Sequence, residues 1–173
     1  ALDRLSQCEA MGRERRWIKT GFVGGGARRQ DSVSNGLRAL GDVHWVLVHD
    51  GDRPFLDEAA IERGLCAARD TGVAVASTAV SDTVKVVSDE GLVVTTLDRG
   101  ALRAVQTPQV FRADIIRHAY SHIDDTVTDD ATLAERLGYA VRLYPGNPEN
   151  LKVATPDDLL VAEAIASRWE ART

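Results

Sequence analysis

The chain has 173 residues, 44% apolar and 27% charged, with three tryptophans; that is enough to bury one ordinary core and too little for two independent domains. This balance excludes a disordered or fibrous chain. A formal net charge of −5 excludes the dense cationic stripe that tracks nucleic-acid phosphates, although a few local arginines still suffice for a small anion.

Short β-branched runs alternate with amphipathic ones, the pattern of a mostly parallel sheet covered by helices. LDRLSQCEAMGRERRW predicts a helix, followed by a short strand near Ile18 to Val23. GGGARRQDS then leads into SVSNGLRAL, where Val33, Leu37 and Leu40 share one helical face and Asp31 or Ser32 serves as the cap. WVLVHD is the next strand, apolar until His49, as suits a strand covered on both faces. DEAAIERGLCAARDTG sets Ile61, Leu65 and Ala68 on one helical face and stops at Gly72. VAVASTAV returns to the sheet. From Thr83 to Asp98, two β-rich runs flank the turn SDEG and predict a hairpin arm, which is marginal alone and is expected to lie against a partner subunit. FRADIIRHAYSHI and TDDATLAERLG predict helices, and AVRLYPG a strand. The last helix opens with Thr155, Pro156 and Asp158 and carries Leu159, Ala162, Ala166 and Trp169 on one face.

No apolar run approaches the roughly 20 residues of a membrane span, and no signal-peptide pattern opens the chain, so a cytoplasmic location without membrane contact is expected. Cys8 and Cys66 match no metal or redox spacing and are expected as reduced thiols without chemistry. His118 and His122 lie four apart on a predicted helix without an acidic partner motif, and a solvated face is the expectation rather than zinc.

In an open parallel sheet the polar groups that meet ligands leave the carboxyl ends of the strands. Asp50, in VLVHDGDRP, lies at such an end, where a carboxylate can hold a hydrated divalent ion or a ribose hydroxyl. Arg53, turned by Pro54, can grip a phosphate. The plain alternative is that Asp52 and Arg53 pair in a surface turn, and Asp52 is read as structural. GGGARRQDS fits neither dinucleotide nor P-loop spacing, but it supplies a flexible backbone, Ser32 and two arginines at a helix N-terminus, suited to a base or phosphate. Glycines that only make a turn are the other reading. Thr83, Arg99 and Lys152 each follow an extended run, and each singly is as compatible with a solvated surface as with a ligand. Thr128 to Asp130 reads as the capped, charged start of a helix.

Taken in order, GGGARRQDSVSNGL, VLVHDGDRP, SDTVKVV, LDRGALRAVQTPQVF, TDDA and NLKVATPDDLLVAEA resemble the motifs of the 2-C-methyl-D-erythritol 4-phosphate cytidylyltransferases, over nearly the whole chain from about Gly24 on. The resemblance implies an α/β fold, a Rossmann-like nucleotidyltransferase sheet with a protruding hairpin, and a homodimer formed through that arm, residues 83–98. It implies transfer of a cytidylyl group from CTP to a sugar-alcohol phosphate in the non-mevalonate isoprenoid pathway, with Mg2+ as cofactor. On this likeness Gly25, Gly26 and Ser32 would read cytosine, Asp50 would face nucleotide and magnesium, and Arg53 the substrate phosphate. Thr83, Arg99 and Lys152 would hold the methylerythritol phosphate, Arg99 and Lys152 as the catalytic cations; Thr83 and Arg99 would reach the partner's site. Thr107 would be a further substrate contact.

This chain departs from the family twice. Gly51 and Asp52 stand where the family usually has two alanines, which sets an extra negative charge beside a phosphate site. Nothing here resembles the opening strand and AAGxGxRM loop that neutralise the triphosphate. The expectation is a single domain over residues 1–173 without that strand and loop, incomplete or inactive as it stands. Two other functions stay open: cytidylyl transfer to another polyol phosphate such as ribitol 5-phosphate, and a non-catalytic dimerising relative.

Overall fold

Thirteen sequence stretches become regular structure in a computed structural model that describes residues 4–18, 20–122 and 127–171. The helices are α1 (Leu5–Glu14), α2 (Arg29–Ala39), α3 (Glu58–Thr71), α4 (Ala113–His122), α5 (Ala131–Arg136) and α6 (Pro156–Glu170). The strands are β1 (Trp45–Val48), β2 (Val73–Ala79), β3 (Lys85–Val87), β4 (Val93–Thr96), β5 (Arg103–Arg112) and β6 (Arg142–Pro145). A 3-10 turn spans Arg99–Ala101.

Four strands make the sheet, in the order β1-β5-β2-β6. The expected mostly parallel arrangement is corrected here to a mixed one, because β5 runs antiparallel to both β1 and β2 and only β2 and β6 pair in parallel. The reason is local. β5 begins opposite the end of β2, with Ala79 facing Arg103, so the chain turns straight back as a hairpin does and no crossover helix intervenes. Residues 80–102 are the extended connection of that hairpin. β5 is the element that sequence periodicity did not reveal: Pro108, which has no N–H to give, interrupts its pattern. The sheet accommodates it with a bulge between Val75 and Ser77, where β5 advances from Gln109 to Val105. The Thr107–Pro108 peptide bond there is cis.

The pleat divides the core as period-2 alternation requires. Val46, Val73, Val75 and Phe111 face α2, α4 and α5, where Leu37, Ile115, Ile116 and Ala134 complete one cluster. Ala74, Ala76 and Val110 face the opposite way, toward Ala68 and Leu65 of α3 and Tyr144. α3 starts with the Asp57 side chain accepting from the Ala60 N–H and ends, as expected, at Gly72, whose φ of 77° suits a residue without Cβ.

Three local expectations change. The described residues near Ile18 to Val23 form no strand, and Ile18 is 83% exposed; Lys19 lies outside the described residues, as does Ile123 at the end of the FRADIIRHAYSHI helix. α2 starts at Arg29 with Arg28 as its N-cap, so neither Asp31 nor Ser32 is the cap. Asp31 instead accepts the Arg28 N–H at 3.0 Å, and Ser32 accepts the Gly26 N–H at 3.0 Å. In α6 the buried residues are Ala162 and Ile165, while Leu159 is exposed. Its start is as read: Thr155 accepts from the Asp158 N–H and Asp158 answers toward the Thr155 N–H, with Pro156 in the first turn.

β3 and β4 pair only with each other, from Lys85 opposite Thr96 to Val87 opposite Val93. Every residue in both is exposed.

Candidate active site

β1, β2 and β6 all point one way, and a cleft opens at the carboxyl ends of β1 and β6, walled by the β5 bulge. A mixed sheet therefore still collects its polar loops on one edge. Asp50 follows β1, Lys152 follows β6 and its loop, and Gln106 and Thr107 come from the bulge; all line this cleft with Arg29 and Arg53.

Asp50 is the centre of the charge pattern. One carboxylate oxygen, Oδ1, accepts from Arg29 Nε at 3.2 Å and Nη2 at 3.1 Å. The other, Oδ2, accepts from Lys152 Nζ at 3.2 Å and lies 3.6 Å from Arg53 Nε. Burial would raise the Asp50 pKa, but the charge of Arg29 and the hydrogen bond from Lys152 outweigh it and hold the carboxyl below the usual range. Asp52 does not pair with Arg53 as the surface-turn alternative had it; its carboxylate lies 3.5 Å from Lys152 Nζ, so Lys152 sits between two acids.

The neutral groups behind Asp50 fix its backbone. Its N–H donates to Thr107 Oγ1 at 3.0 Å, and that hydroxyl lies 2.9 Å from His49 Nδ1. His49 Nε2 lies 2.8 Å from the Arg53 carbonyl, which can only accept. The proton therefore belongs on Nε2, and the relay runs from the Asp50 N–H to Thr107, from the Thr107 O–H to His49, and from His49 to Arg53. Asn150 ties the opposite wall: its Nδ2 donates to the Thr107 carbonyl at 2.6 Å, and its own carbonyl accepts from Arg53 Nη1 at 2.9 Å. Arg53 Nε and Asn150 Oδ1 are buried without hydrogen-bond partners among the described residues. The loop carrying Lys152 is seated by α6, where Phe55 and Trp169 meet edge to face at 5.5 Å and Trp169 Nε1 donates to Glu149 at 2.8 Å.

The predicted site residues thus fall into three places. Asp50, Arg53, Thr107 and Lys152 meet in one cleft. Gly25, Gly26 and Ser32 stand before and inside the first turn of α2, beside Arg29. A Cβ on Gly26 would fall 2.2 Å from Asp31 Cβ, so the loop needs glycine there to fold back on the helix. Thr83 and Arg99 lie at the base of the hairpin, not in the cleft lining; Arg99 donates to the Ser81 carbonyl at 2.7 Å.

The sequence reading did not single out Arg29, Gln106, Asn150 or Asp130. Arg29 was visible only as one of two arginines after the glycines. Asp130 stands at a helix start as read, as the N-cap residue of α5, but its side chain makes no cap bond; the carboxylate that accepts from the Thr132 N–H, at 2.8 Å, is that of Asp129. Asp130 is 1% exposed, accepts from Arg29 Nη1 at 2.8 Å and from the Tyr120 hydroxyl. Burial and then the Asp130 charge push the Tyr120 phenol upward, so it remains a proton donor. No cluster of three metal-ligating side chains occurs among the described residues. Nor is any described helix long and apolar enough to cross a membrane.

Comparison with known proteins agrees with this architecture. Relatives described as 2-C-methyl-D-erythritol 4-phosphate cytidylyltransferases include one from Dehalococcoides mccartyi, 54% identical over 144 residues, 83% of this chain and 63% of that protein. A second, from Syntrophus aciditrophicus, is 46% identical over 156 residues, 88% of this chain and 67% of that protein. The chain thus spans less than two thirds of the length of the Dehalococcoides relative. The crystal structure of the Thermus thermophilus cytidylyltransferase superposes with a TM-score of 0.76 at 38% identity, covering 84% of this chain and 72% of that one. The Anaerococcus prevotii 4-diphosphocytidyl-2C-methyl-D-erythritol synthase gives a TM-score of 0.82 at 29% identity, covering 93% and 78%. The family model described as 2-C-methyl-D-erythritol 4-phosphate cytidylyltransferase matches residues 3–168, beginning well before Gly24, and on that match the chain belongs to the 2-C-methyl-D-erythritol 4-phosphate cytidylyltransferase family.

Proposed function

We propose that the protein transfers the cytidylyl group of CTP to 2-C-methyl-D-erythritol 4-phosphate and releases pyrophosphate, in the non-mevalonate route to isoprenoids. The observation that carries this reading is the single cleft in which Asp50 is ringed by Arg29, Arg53 and Lys152. Three cations around one carboxylate suit a site that takes anionic substrates together with a divalent ion.

In this reading a phosphate oxygen of the sugar alcohol attacks the α-phosphorus of CTP, a new P–O bond forms, and the bond to pyrophosphate breaks. The attacking group is already an anion, so no general base is required, and the residues supply position and positive charge. Lys152 and Arg53, on the Oδ2 side of Asp50, hold the sugar phosphate, with Thr107 supporting that wall. Gly25, Gly26 and Ser32 offer the backbone and hydroxyl contacts that select cytosine. Asp50 fits Mg2+ as one carboxylate beside substrate phosphates, the usual way that ion is held; the ion would draw charge from the triphosphate. Lys152 and Arg29 would give up part of their hold on Asp50 when it binds.

Thr83 and Arg99 sit at the base of the arm rather than in this chain's cleft, and we assign them to the partner's site in a homodimer built on residues 83–98. The exposed valines of β3 and β4 support that reading. The test is an assay of the full-length protein with CTP, magnesium and a panel of polyol phosphates. Preferred turnover of the methylerythritol phosphate is expected. A preference for ribitol 5-phosphate, or no turnover with any acceptor, overturns the assignment.

A further inference from the structure

The cleft holds a cation that the family reading above leaves without a task. Arg29 presents two edges: Nε and Nη2 address Asp50 Oδ1, while Nη1 is held at 2.8 Å by Asp130 Oδ2. Asp130 has a fully buried side chain, whereas Arg29 is 36% exposed and lines the cleft. A carboxylate with no solvent access tolerates ionisation only if paired and hydrogen-bonded on both oxygens. Asp130 is, through Arg29 on one side and the Tyr120 hydroxyl on the other. Tyr120 belongs to α4 and Asp130 is the N-cap residue of α5, so the guanidinium at the start of α2 is oriented by a buried carboxylate braced against α4.

Asp50 also divides the cations. Lys152 and Arg53 address Oδ2, and Arg29 alone addresses Oδ1. Arg29 is the first residue of α2, directly after the loop of Gly25 and Gly26 and three residues before Ser32. We infer that Arg29 binds the phosphates of the nucleotide substrate, and that Asp130, braced by Tyr120, is the positioning residue that aims it. The inference rests on the proposed cytidylyl transfer and extends it with a division of labour: Arg29 for the nucleotide, Arg53 and Lys152 for the sugar phosphate. A free arginine side chain would lose rotamer freedom each time it gripped a ligand. One already fixed from behind by a buried carboxylate has lost that freedom on folding.

The test uses the full-length protein and three variants: Arg29→Ala, Asp130→Asn and the double variant. CTP affinity is read by equilibrium binding without acceptor, and KM is measured separately for CTP and for the sugar phosphate. Arg29→Ala and Asp130→Asn should each weaken CTP binding and raise the CTP KM by about tenfold, the scale of one lost charge-assisted contact, while the sugar-phosphate KM stays within about twofold. The double variant should bind CTP no worse than Arg29→Ala alone, because Asp130 acts only through Arg29. If Arg29→Ala fails to fold because it strands the Asp130 carboxylate, the double variant removes that charge and is compared with Asp130→Asn instead. Asp130→Asn that lowers the melting temperature but leaves CTP binding unchanged makes Asp130 merely structural and overturns the inference. So does a rise confined to the sugar-phosphate KM, or losses that multiply in the double variant. A wild-type protein that neither binds CTP nor transfers cytidylyl groups overturns the proposed function, and the inference falls with it; wild-type turnover with unaffected variants overturns the inference alone.

Discussion

The four-stranded sheet and the β3–β4 arm are built from similar residues and differ in what surrounds them. Val73 and Val75 in β2 are 0% and 1% exposed, whereas Val93 and Val94 in β4 are 58% and 65% exposed. Each sheet strand packs on helices, and β5 has neighbours on both edges. The arm has one ladder, closed by a turn at Gly91 with φ of 79°, and packs on neither helix cluster. The comparison teaches that strand-forming sequence alone does not locate stability. Branched apolar residues drive folding in the sheet because burial there removes apolar surface from water, worth about 25 cal/mol for each Å2. In the arm the same side chains leave that surface in water.

The sharpest break of this contrast is Phe111→Ala. Phe111 is 1% exposed, lies in β5 opposite both Val46 and Val73, and touches the α2, α4 and α5 layer. Truncating it leaves a cavity that a sheet flanked on both sides cannot close, so a loss of about 3–5 kcal/mol is expected, read from denaturant midpoints. A loss under about 1 kcal/mol would mean that the sheet is no better packed than the arm.

Most elements of both regions were legible in the sequence, because each announces itself within about ten residues. Helix α3 carries its cap at Asp57 and its stop at Gly72, α6 its Thr155 and Asp158 box, and the arm its SDEG turn. The direction of β5 was not legible. Nothing local in RAVQTPQVFR tells whether a strand enters a sheet parallel or antiparallel; that depends on pairing with Val73 to Ala79, some thirty residues away. The same distinction separates the site residues. Asp50 and Arg53 stand out within one strand-end motif, and Lys152 follows its own run. The Arg29–Asp130 pair spans 101 positions, and neither partner differs in sequence from a surface arginine or a helix-capping acid. Long-range ion pairs leave no local pattern, since their physics is set by burial and burial is tertiary.

A smaller effect sharpens the contrast electrostatically. The folded protein holds the Asp50 carboxyl below its ordinary value: burial opposes this, and Arg29 with Lys152 overcomes it. A carboxyl depressed on folding adds stability above its unfolded value of about 3.9, and that contribution is lost as pH falls through the folded value. The stability difference between wild type and Asp50→Asn should therefore be largest at neutral pH and shrink in acid, as measured by urea midpoints across that range. Arg29 and Lys152 are 36% and 45% exposed, so solvent screening keeps the difference well below that of Phe111→Ala. A difference that widens toward acid would contradict the ion-pair account of the cleft.

The smallest expected effect on the chain's own fold comes from the arm, and it separates the two regions most cleanly. Val94→Thr keeps the β-branched shape and removes only apolar surface that is 65% exposed already, so unfolding of the chain should change by no more than about 0.5 kcal/mol. The arm's ladder is also spared, because Lys85 pairs with Thr96, Val86 with Thr95 and Val87 with Val93, leaving Val94 in the irregularity between them. If the valines serve a second subunit, substituting Val87, Val93 and Val94 together should leave the far-ultraviolet spectrum and the urea midpoint of the monomer nearly as they were, while shifting sedimentation at micromolar concentration from dimer to monomer. Cytidylyl transfer should fall with it, because Thr83 and Arg99 at the base of the arm would no longer reach a neighbouring cleft. Full activity in a triple variant that sediments as a monomer would return both residues to the surface. A wild-type full-length protein that is itself monomeric would leave the exposed valines of the arm without the role proposed for them.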